Sequence, residues 1–242
     1  MGIFDDLKQS SDVEQDKDVI GGGSKILESD LYQFTIDMMY MDVSSSGAKS
    51  INISCVNGEG QQFKETIYVT SGTAKGGKNF FIDKRSGKKR YLPGFAVANS
   101  ISQVSLGKDL GDLDFQEKTI KIWDSTVRKE IPQKRQVAMD MLGKQVALGI
   151  LKVEENKSMK DADGNYQPIN DKRTFNTIDK VFDGESLATL VEKTANETPV
   201  FHTKWLEKNK GRTVNKFKEV KEEGVAVPTG GKTVNTASMF DD

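Results

Sequence analysis

The chain has 242 residues, a formal net charge of −1, and 36% hydrophobic residues. This length allows one large domain or two small ones, and no apolar run approaches the roughly 18 residues of a membrane-spanning helix. One cysteine, Cys55, excludes a disulfide bond within the chain, and one histidine, His202, leaves little for a site built from His and Cys. We therefore expect no enzyme activity and no cofactor. The N-terminus lacks the pattern of a signal peptide, which favours a cytoplasmic protein.

The first 30 residues carry eight acidic side chains against three lysines, around a Gly-rich stretch at 21–24. This composition predicts a flexible acidic arm over residues 1–24.

Three segments then alternate apolar and polar residues with period 2, which predicts three antiparallel strands joined by Gly- and Ser-rich turns. The apolar faces are Tyr32, Phe34, Ile36, Met38 and Tyr40; Ile51, Ile53 and Cys55; and Phe63, Ile67 and Val69. On the third strand, Lys64 and Tyr68 fall on the opposite, outward face.

A basic stretch follows at 75–91, where Asp83 is the only acid. Its cations are Lys75, Lys78, Lys84, Arg85, Lys88, Lys89 and Arg90, with Phe80, Phe81 and Tyr91 interleaved. The stretch "RSGKK" predicts a hairpin tip or loop. Phe80 and Phe81 are adjacent, so on an extended segment one ring can pack inward while the other faces a ligand.

The segment "FAVANSISQVSL" has near-helical spacing and predicts a helix, and "KTIKIWDS" predicts a strand. In that strand Ile120 and Ile122 face inward while Lys121 and Trp123 face outward. The segments "KQVALGILKVEEN" and "RTFNTIDKVFD" predict a final strand pair around an Asp- and Gly-rich turn. Short strands with few helices indicate a mainly β protein, a closed β-barrel of the OB-fold type with insertions, over residues 25–217.

Near the C-terminus, a predicted short helix with Trp205 precedes a second basic strip that includes Lys210, Arg212 and Lys216. Residues 218–242 are Gly-, Thr- and Ser-rich, which predicts a disordered tether with an acidic tip. The tip is Phe240, Asp241 and Asp242.

Two motifs resemble ion or nucleotide sites but lack required residues. Residues 72–79 have the spacing of a phosphate loop, yet Asn79 stands where a Ser or Thr should hold Mg²⁺ and no helix is predicted to follow. Residues 161–165 begin like a calcium loop, yet its twelfth position is Lys172 rather than an acid.

Cations along a groove and aromatic rings that stack on bases are the two ingredients of single-strand binding. The predicted DNA-binding residues are Lys64, Tyr68, Lys75, Lys78, Phe80, Phe81, Lys84, Arg85, Lys88, Lys89, Arg90, Tyr91, Lys121, Trp123, Lys210, Arg212 and Lys216.

Several blocks in the same order resemble one family, over about residues 20–217. They are "YVTSGTAKGGKNFFIDKRSGKKRYLPGF", "VANSISQVSLGKDL", "EKTIKIWD", "MLGKQVALGIL", "NTIDKVF" and "KWLEKNKGRTVNK". Together they are similar to bacteriophage single-stranded DNA-binding proteins of replication modules.

The resemblance implies an OB-fold core and sequence-tolerant binding of single-stranded DNA during phage replication, recombination and repair, in the cytoplasm of an infected bacterium. It also implies that Phe240, Asp241 and Asp242 engage replication proteins such as a polymerase, helicase or primase. The composition, in turn, predicts no membrane partner. One alternative is a recombination mediator or strand-annealing protein that acts as a homo-oligomer. Another is a metal-dependent nuclease that uses Asp109, Asp112 and Asp114.

Overall fold

The computed structural model describes residues 26–161 and 165–220. The predicted acidic arm at 1–24 and the predicted tip at Phe240, Asp241 and Asp242 lie outside the described residues, as does the tether beyond Val220. The described part is mainly β, which confirms the predicted fold class. Its strands are β1 (Asp30–Val43), β2 (Lys49–Asn57), β3 (Gln62–Tyr68), β4 (Phe80–Ile82), β5 (Lys89–Tyr91), β6 (Phe115–Asp124), β7 (Lys129–Ala138), β8 (Gln145–Lys160), β9 (Tyr166–Asp183) and β10 (Thr213–Asn215). Its α-helices are α1 (Pro93–Leu106), α2 (Leu190–Ala195) and α3 (Phe201–Asn209).

Five strands form the body of the fold in the order β9-β8-β1-β2-β3, each antiparallel to its neighbour. The short β10 adds to β8 in parallel. Two hairpins are inserted into this plan: β4 and β5 form a separate two-stranded sheet, and β6 and β7 join the main sheet where Tyr40 of β1 pairs with Val137. The predicted three-strand meander and the final strand pair are present, and the predicted hairpin tip at 85–89 connects β4 to β5.

The core follows the predicted alternation in β2 and β3, where Ile51, Ile53, Cys55, Phe63 and Ile67 are buried. Burial raises the pKa of the Cys55 thiol to about 12.

In β1 the buried face changes sides. Phe34 and Ile36 are buried, but a register shift between Ile36 and Met38 then places Met39 in the core. The prediction that Met38 and Tyr40 continue the buried face is therefore wrong, because the extra residue of the bulge moves the alternation by one position.

The predicted closed barrel is not observed, because no backbone ladder joins β3 to β9 in the described part. Helix α1 packs against both strands and covers this gap. Its own residues Ala98, Ile101 and Val104 are buried on the side that faces the sheet. A side chain spans the gap instead: Glu65 of β3 accepts hydrogen bonds from the Ile178 N–H at 2.9 Å and from the Thr177 hydroxyl at 2.7 Å. The described strands therefore form a large antiparallel sheet that is open between β3 and β9, and the prediction of a closed barrel is wrong.

A second, smaller core lies under α3, where Trp205 packs with Ala147 and Phe182. The Trp205 Nε1–H donates to Asp179 at 2.7 Å, and the ring lies so close to Gly149 that a Cβ there would meet it at 2.9 Å.

Asparagine side chains fix the two ends of the described chain to β8 and β9. Asn176 exchanges two hydrogen bonds of 2.8 Å with the backbone of Leu27, donating to its carbonyl and accepting from its N–H. Asn156 does the same for Lys218, and Asn170 for Val220. Each amide thereby replaces one rung of a β-ladder.

Candidate functional site

The outward face of β3 connects two grooves on the surface. Lys64, Thr66 and Tyr68 alternate along this face, because Phe63, Glu65 and Ile67 point the other way. Lys64 and Thr66 line one groove, and Tyr68 lines the other. The predicted outward positions of Lys64 and Tyr68 are confirmed.

The groove lined by Tyr68, here called the aromatic groove, has a volume of about 660 Å³. It lies between the end of β3, the loop 70–78, β4 and the start of α1. Its lining includes Tyr68, Lys75, Lys78, Phe80 and Phe81, and no acidic residue is among its described lining residues. The start of α1 approaches β3 closely at Gly94, where a Cβ would collide with the Tyr68 carbonyl.

The two adjacent phenylalanines have different environments, as the sequence predicts. Phe80 is half-buried, and the ammonium groups of Lys78 and Lys89 lie 5.6 and 4.9 Å from its ring centroid. Phe81 is 43% exposed and Tyr68 is 53% exposed. The rings free to stack on a ligand in this groove are therefore Phe81 and Tyr68, while Phe80 positions two cations.

The β4–β5 hairpin carries the remaining cations of the basic stretch. Asp83 shapes its turn by accepting a hydrogen bond from the Arg85 N–H at 2.8 Å, and its carboxylate pairs with Arg90 at 2.9 Å. The side chains at the tip and on β5 are exposed: Lys84, Arg85, Lys88, Lys89 and Arg90. Tyr91 is 64% exposed and packs on Phe95 of α1 with ring centroids 4.9 Å apart.

The groove lined by Lys64 and Thr66, here called the hairpin groove, has a volume of about 620 Å³. It separates the outward face of β1, β2 and β3 from β6. Trp123 lines it and is 62% exposed, and Lys121 lies beside it. The predicted outward direction of these two β6 residues is confirmed. On the opposite wall, the Thr66 hydroxyl donates to Asn52 Oδ1 at 2.6 Å.

The C-terminal basic residues lie apart from both grooves. Lys210 pairs with Asp30 at 3.2 Å, and the Lys216 N–H donates to the Glu154 carbonyl at 2.7 Å, so this segment runs beside β8. Lys210, Arg212 and Lys216 line neither groove. Trp205, which the sequence places near them, is buried.

The aspartates of the nuclease alternative do not form a metal site. The side-chain amides of Gln103 and Asn99 donate to Asp109 at 2.7 and 3.1 Å, and these hydrogen bonds lower the pKa of its carboxyl group. Within residues 26–161 and 165–220, no cluster of three or more His, Cys, Asp or Glu side chains could hold a metal ion.

The sequence pattern did not single out Asn52 and Thr66 as groove residues. The signal for them was present, since residues of β2 and β3 that alternate with buried ones must face outward. What the sequence did not indicate was that β6 would lie across that face.

No helix in the described ranges is long and apolar enough to cross a membrane. Comparison with protein-family models gives no match to this chain, and comparison with curated proteins gives no significant match.

Proposed function

We propose that the protein binds single-stranded DNA without catalysing a reaction on it, and that the aromatic groove with the β4–β5 hairpin is the principal binding surface. The observation that carries the proposal is the composition of this groove, which combines exposed Tyr68 and Phe81 with Lys75 and Lys78 and has no described acidic lining residue. The two lysine ammonium groups attract phosphates with no described carboxylate in the lining to repel them, and an exposed ring stacks on any base.

The hairpin cations extend the same surface. Lys84, Arg85 and Lys88 are exposed, and Lys89 is held over Phe80 beside the groove. A strand that stacks on Phe81 would therefore meet positive charge on both sides. The resemblance to phage single-stranded DNA-binding proteins supports the same role in replication, recombination and repair. A partner-binding role of Phe240, Asp241 and Asp242 stays a prediction.

The test is fluorescence anisotropy with a labelled oligo(dT) and with a duplex, between about 50 and 300 mM salt, a range over which phosphate-dominated binding weakens strongly. We expect the protein to prefer oligo(dT). The double variant Lys75→Gln/Lys78→Gln should weaken binding and reduce the slope of log affinity against log salt by about 0.7 for each phosphate that is no longer neutralised.

The matched control is Lys157→Gln/Lys160→Gln, which removes two exposed lysines from the part of β8 that lines neither groove. Equal weakening in the two double variants, or equal affinity for duplex and oligo(dT), would contradict the proposed function.

Light scattering of the complex distinguishes a protein that coats DNA from a strand-annealing oligomer, because the oligomer would form large assemblies.

A further inference from the structure

The hairpin groove differs from the aromatic groove in charge. Along its described lining, the carboxylates of Asp37 and Glu130 offset the ammonium groups of Lys64 and Lys121, while the Glu65 carboxylate is bound to β9 on the other face of the strand. A phosphate placed inside this groove would meet no excess of positive charge. It would also be repelled by any carboxylate at close range, because both groups are negative. The hairpin groove is therefore not a continuation of the phosphate-binding surface.

Its walls nevertheless carry the groups that recognise an uncharged, flat, polar ligand. The Trp123 indole offers an exposed ring face on one side. On the other side, the Thr66 hydroxyl donates a hydrogen bond to Asn52 Oδ1. The Asn52 Nδ2 group has no hydrogen-bond partner among the described residues. An aromatic face opposite a fixed amide donor provides both stacking and an edge contact for a ring with carbonyl oxygens.

We propose that the hairpin groove binds a single nucleobase, stacked on Trp123, whose keto oxygen accepts a hydrogen bond from the Asn52 amide. The ligand class is a base with a keto group, thymine or guanine, and the backbone of the strand stays outside the groove. This inference rests on the proposed function and deepens it, because it adds a base preference at one position of an otherwise sequence-tolerant surface.

The distance between the grooves limits where that position lies. Lys64 and Tyr68 are four residues apart on β3, about 13 Å at about 3.3 Å per residue. At the rise of about 3.4 Å per nucleotide in a stacked strand, this length corresponds to at most about four nucleotides. A stacked strand that follows β3 between Lys64 in the hairpin groove and Tyr68 in the aromatic groove would therefore need no more than about four nucleotides for this stretch.

The experiment is an abasic scan of a short oligo(dT), measured by anisotropy with the wild-type chain and with Trp123→Ala and Tyr68→Ala. We expect Trp123→Ala to weaken binding of the intact strand by on the order of tenfold, as removal of one stacked base would. With one particular thymine made abasic, the same variant should cause no further weakening. Tyr68→Ala should behave in the same way with a different thymine.

Asn52→Ala tests the edge contact separately. At the position coupled to Trp123, replacing thymine by adenine should weaken binding to the wild-type chain, and this difference should disappear in the variant. The control is Tyr166→Ala, since Tyr166 is 70% exposed on β9 and lines neither groove.

The outcomes separate the two proposals. If oligo(dT) binds with strong salt dependence but no abasic position couples to Trp123, the base-binding assignment is wrong and the proposed function stands. If oligo(dT) does not bind at all, both are wrong. Equal coupling of every position to Trp123 would also overturn the assignment, because it would mean that the indole contacts the strand without a fixed register.

Discussion

The Glu65 carboxylate accepts a hydrogen bond from the Ile178 N–H at 2.9 Å, and it thereby links β3 to β9 across the gap between these two strands of the sheet. The Thr177 hydroxyl donates to the same carboxylate at 2.7 Å. Burial raises the pKa of Glu65, although both hydrogen bonds act in the opposite direction. One side chain thus takes the place of a backbone ladder.

Removing this link should destabilise the domain. Glu65→Ala leaves the Ile178 N–H and the Thr177 hydroxyl without their acceptor, which should lower the free energy of unfolding by about 1–3 kcal/mol. Glu65→Gln retains one acceptor oxygen and should cost less. Urea denaturation measures both, with Glu59→Ala in the exposed turn after β2 as the control. A Glu65→Ala variant as stable as Glu59→Ala would show that α1 alone holds β3 and β9 together.

Stability should fall at low pH because of Glu192 and Asp183. Burial alone would raise the pKa of Glu192, but hydrogen bonds from the backbone of Thr189, Val200 and Phe201 and from the Thr189 hydroxyl lower it to about 2. Burial acts in the same direction on Asp183, where hydrogen bonds from Lys193, Ser186 and Glu185 outweigh it and lower the pKa to about 2.

For a carboxyl group with a lowered pKa in the folded state, the stabilisation is complete above its pKa in the unfolded chain. The ordinary pKa is 4.5 for Glu and 3.8 for Asp, so the stabilisation should be lost as the pH falls from about 4.5 toward about 2. Glu192→Gln should lower the free energy of unfolding at pH 7 by about 1–3 kcal/mol and flatten its decline between about pH 5 and about pH 2. Urea titrations at several pH values check this, with exposed Glu207→Gln as the control. An unchanged decline in Glu192→Gln would contradict the prediction.

The exposed rings of the aromatic groove should contribute to affinity without contributing to salt dependence. Tyr68→Leu and Phe81→Leu should each cost about 1–3 kcal/mol of oligo(dT) binding free energy. The salt slope should stay unchanged, because neither change removes a charge. Anisotropy titrations at two salt concentrations measure both quantities. Tyr166→Leu, on the far part of β9, is the matched control, and an equal effect there would exclude a specific role for the groove.

The two tryptophans of the chain should give separate signals. Trp205 is 4% exposed and Trp123 is 62% exposed. Trp123→Phe should therefore leave a blue-shifted emission that acrylamide quenches poorly, and Trp205→Phe a red-shifted emission that it quenches well. We expect oligo(dT) to quench the Trp205→Phe protein and to leave the Trp123→Phe protein unchanged. The reverse pattern would mean that a ligand reaches the core under α3.

Local alternation predicted much of the fold because β2 and β3 follow it without interruption, as the burial of Ile51, Ile53 and Phe63 illustrates. It failed in β1, since the bulge after Ile36 has no residue signature of its own. It also missed β7, a largely polar strand that contains Pro132, a residue usually confined to strand edges and bulges.

The candidate site was predictable only where its residues are close in sequence. Residues 75–91 form the β4–β5 hairpin and part of the aromatic groove, so their basic and aromatic pattern was visible in one continuous segment of the sequence. The second basic strip could not be placed, because charge along the chain does not reveal that Lys210 pairs with Asp30 beside β8. The contact between Glu65 and Thr177 joins residues 112 positions apart, which no local pattern anticipates.

The hydrogen bonds of Asn176 and Asn170 hold both ends of the described chain on β9. Leu27 is held at Asn176 and Val220 at Asn170, and these two asparagines lie six residues apart on β9, a distance of about 20 Å. A linker of about ten residues could span that distance, since each extended residue covers up to about 3.3–3.6 Å. Joining residue 27 to residue 220 and opening the chain in the exposed turn 125–128 would give a circular permutant with the same core. Its new ends would emerge next to Trp123, where an attached fluorophore would report directly on the hairpin groove.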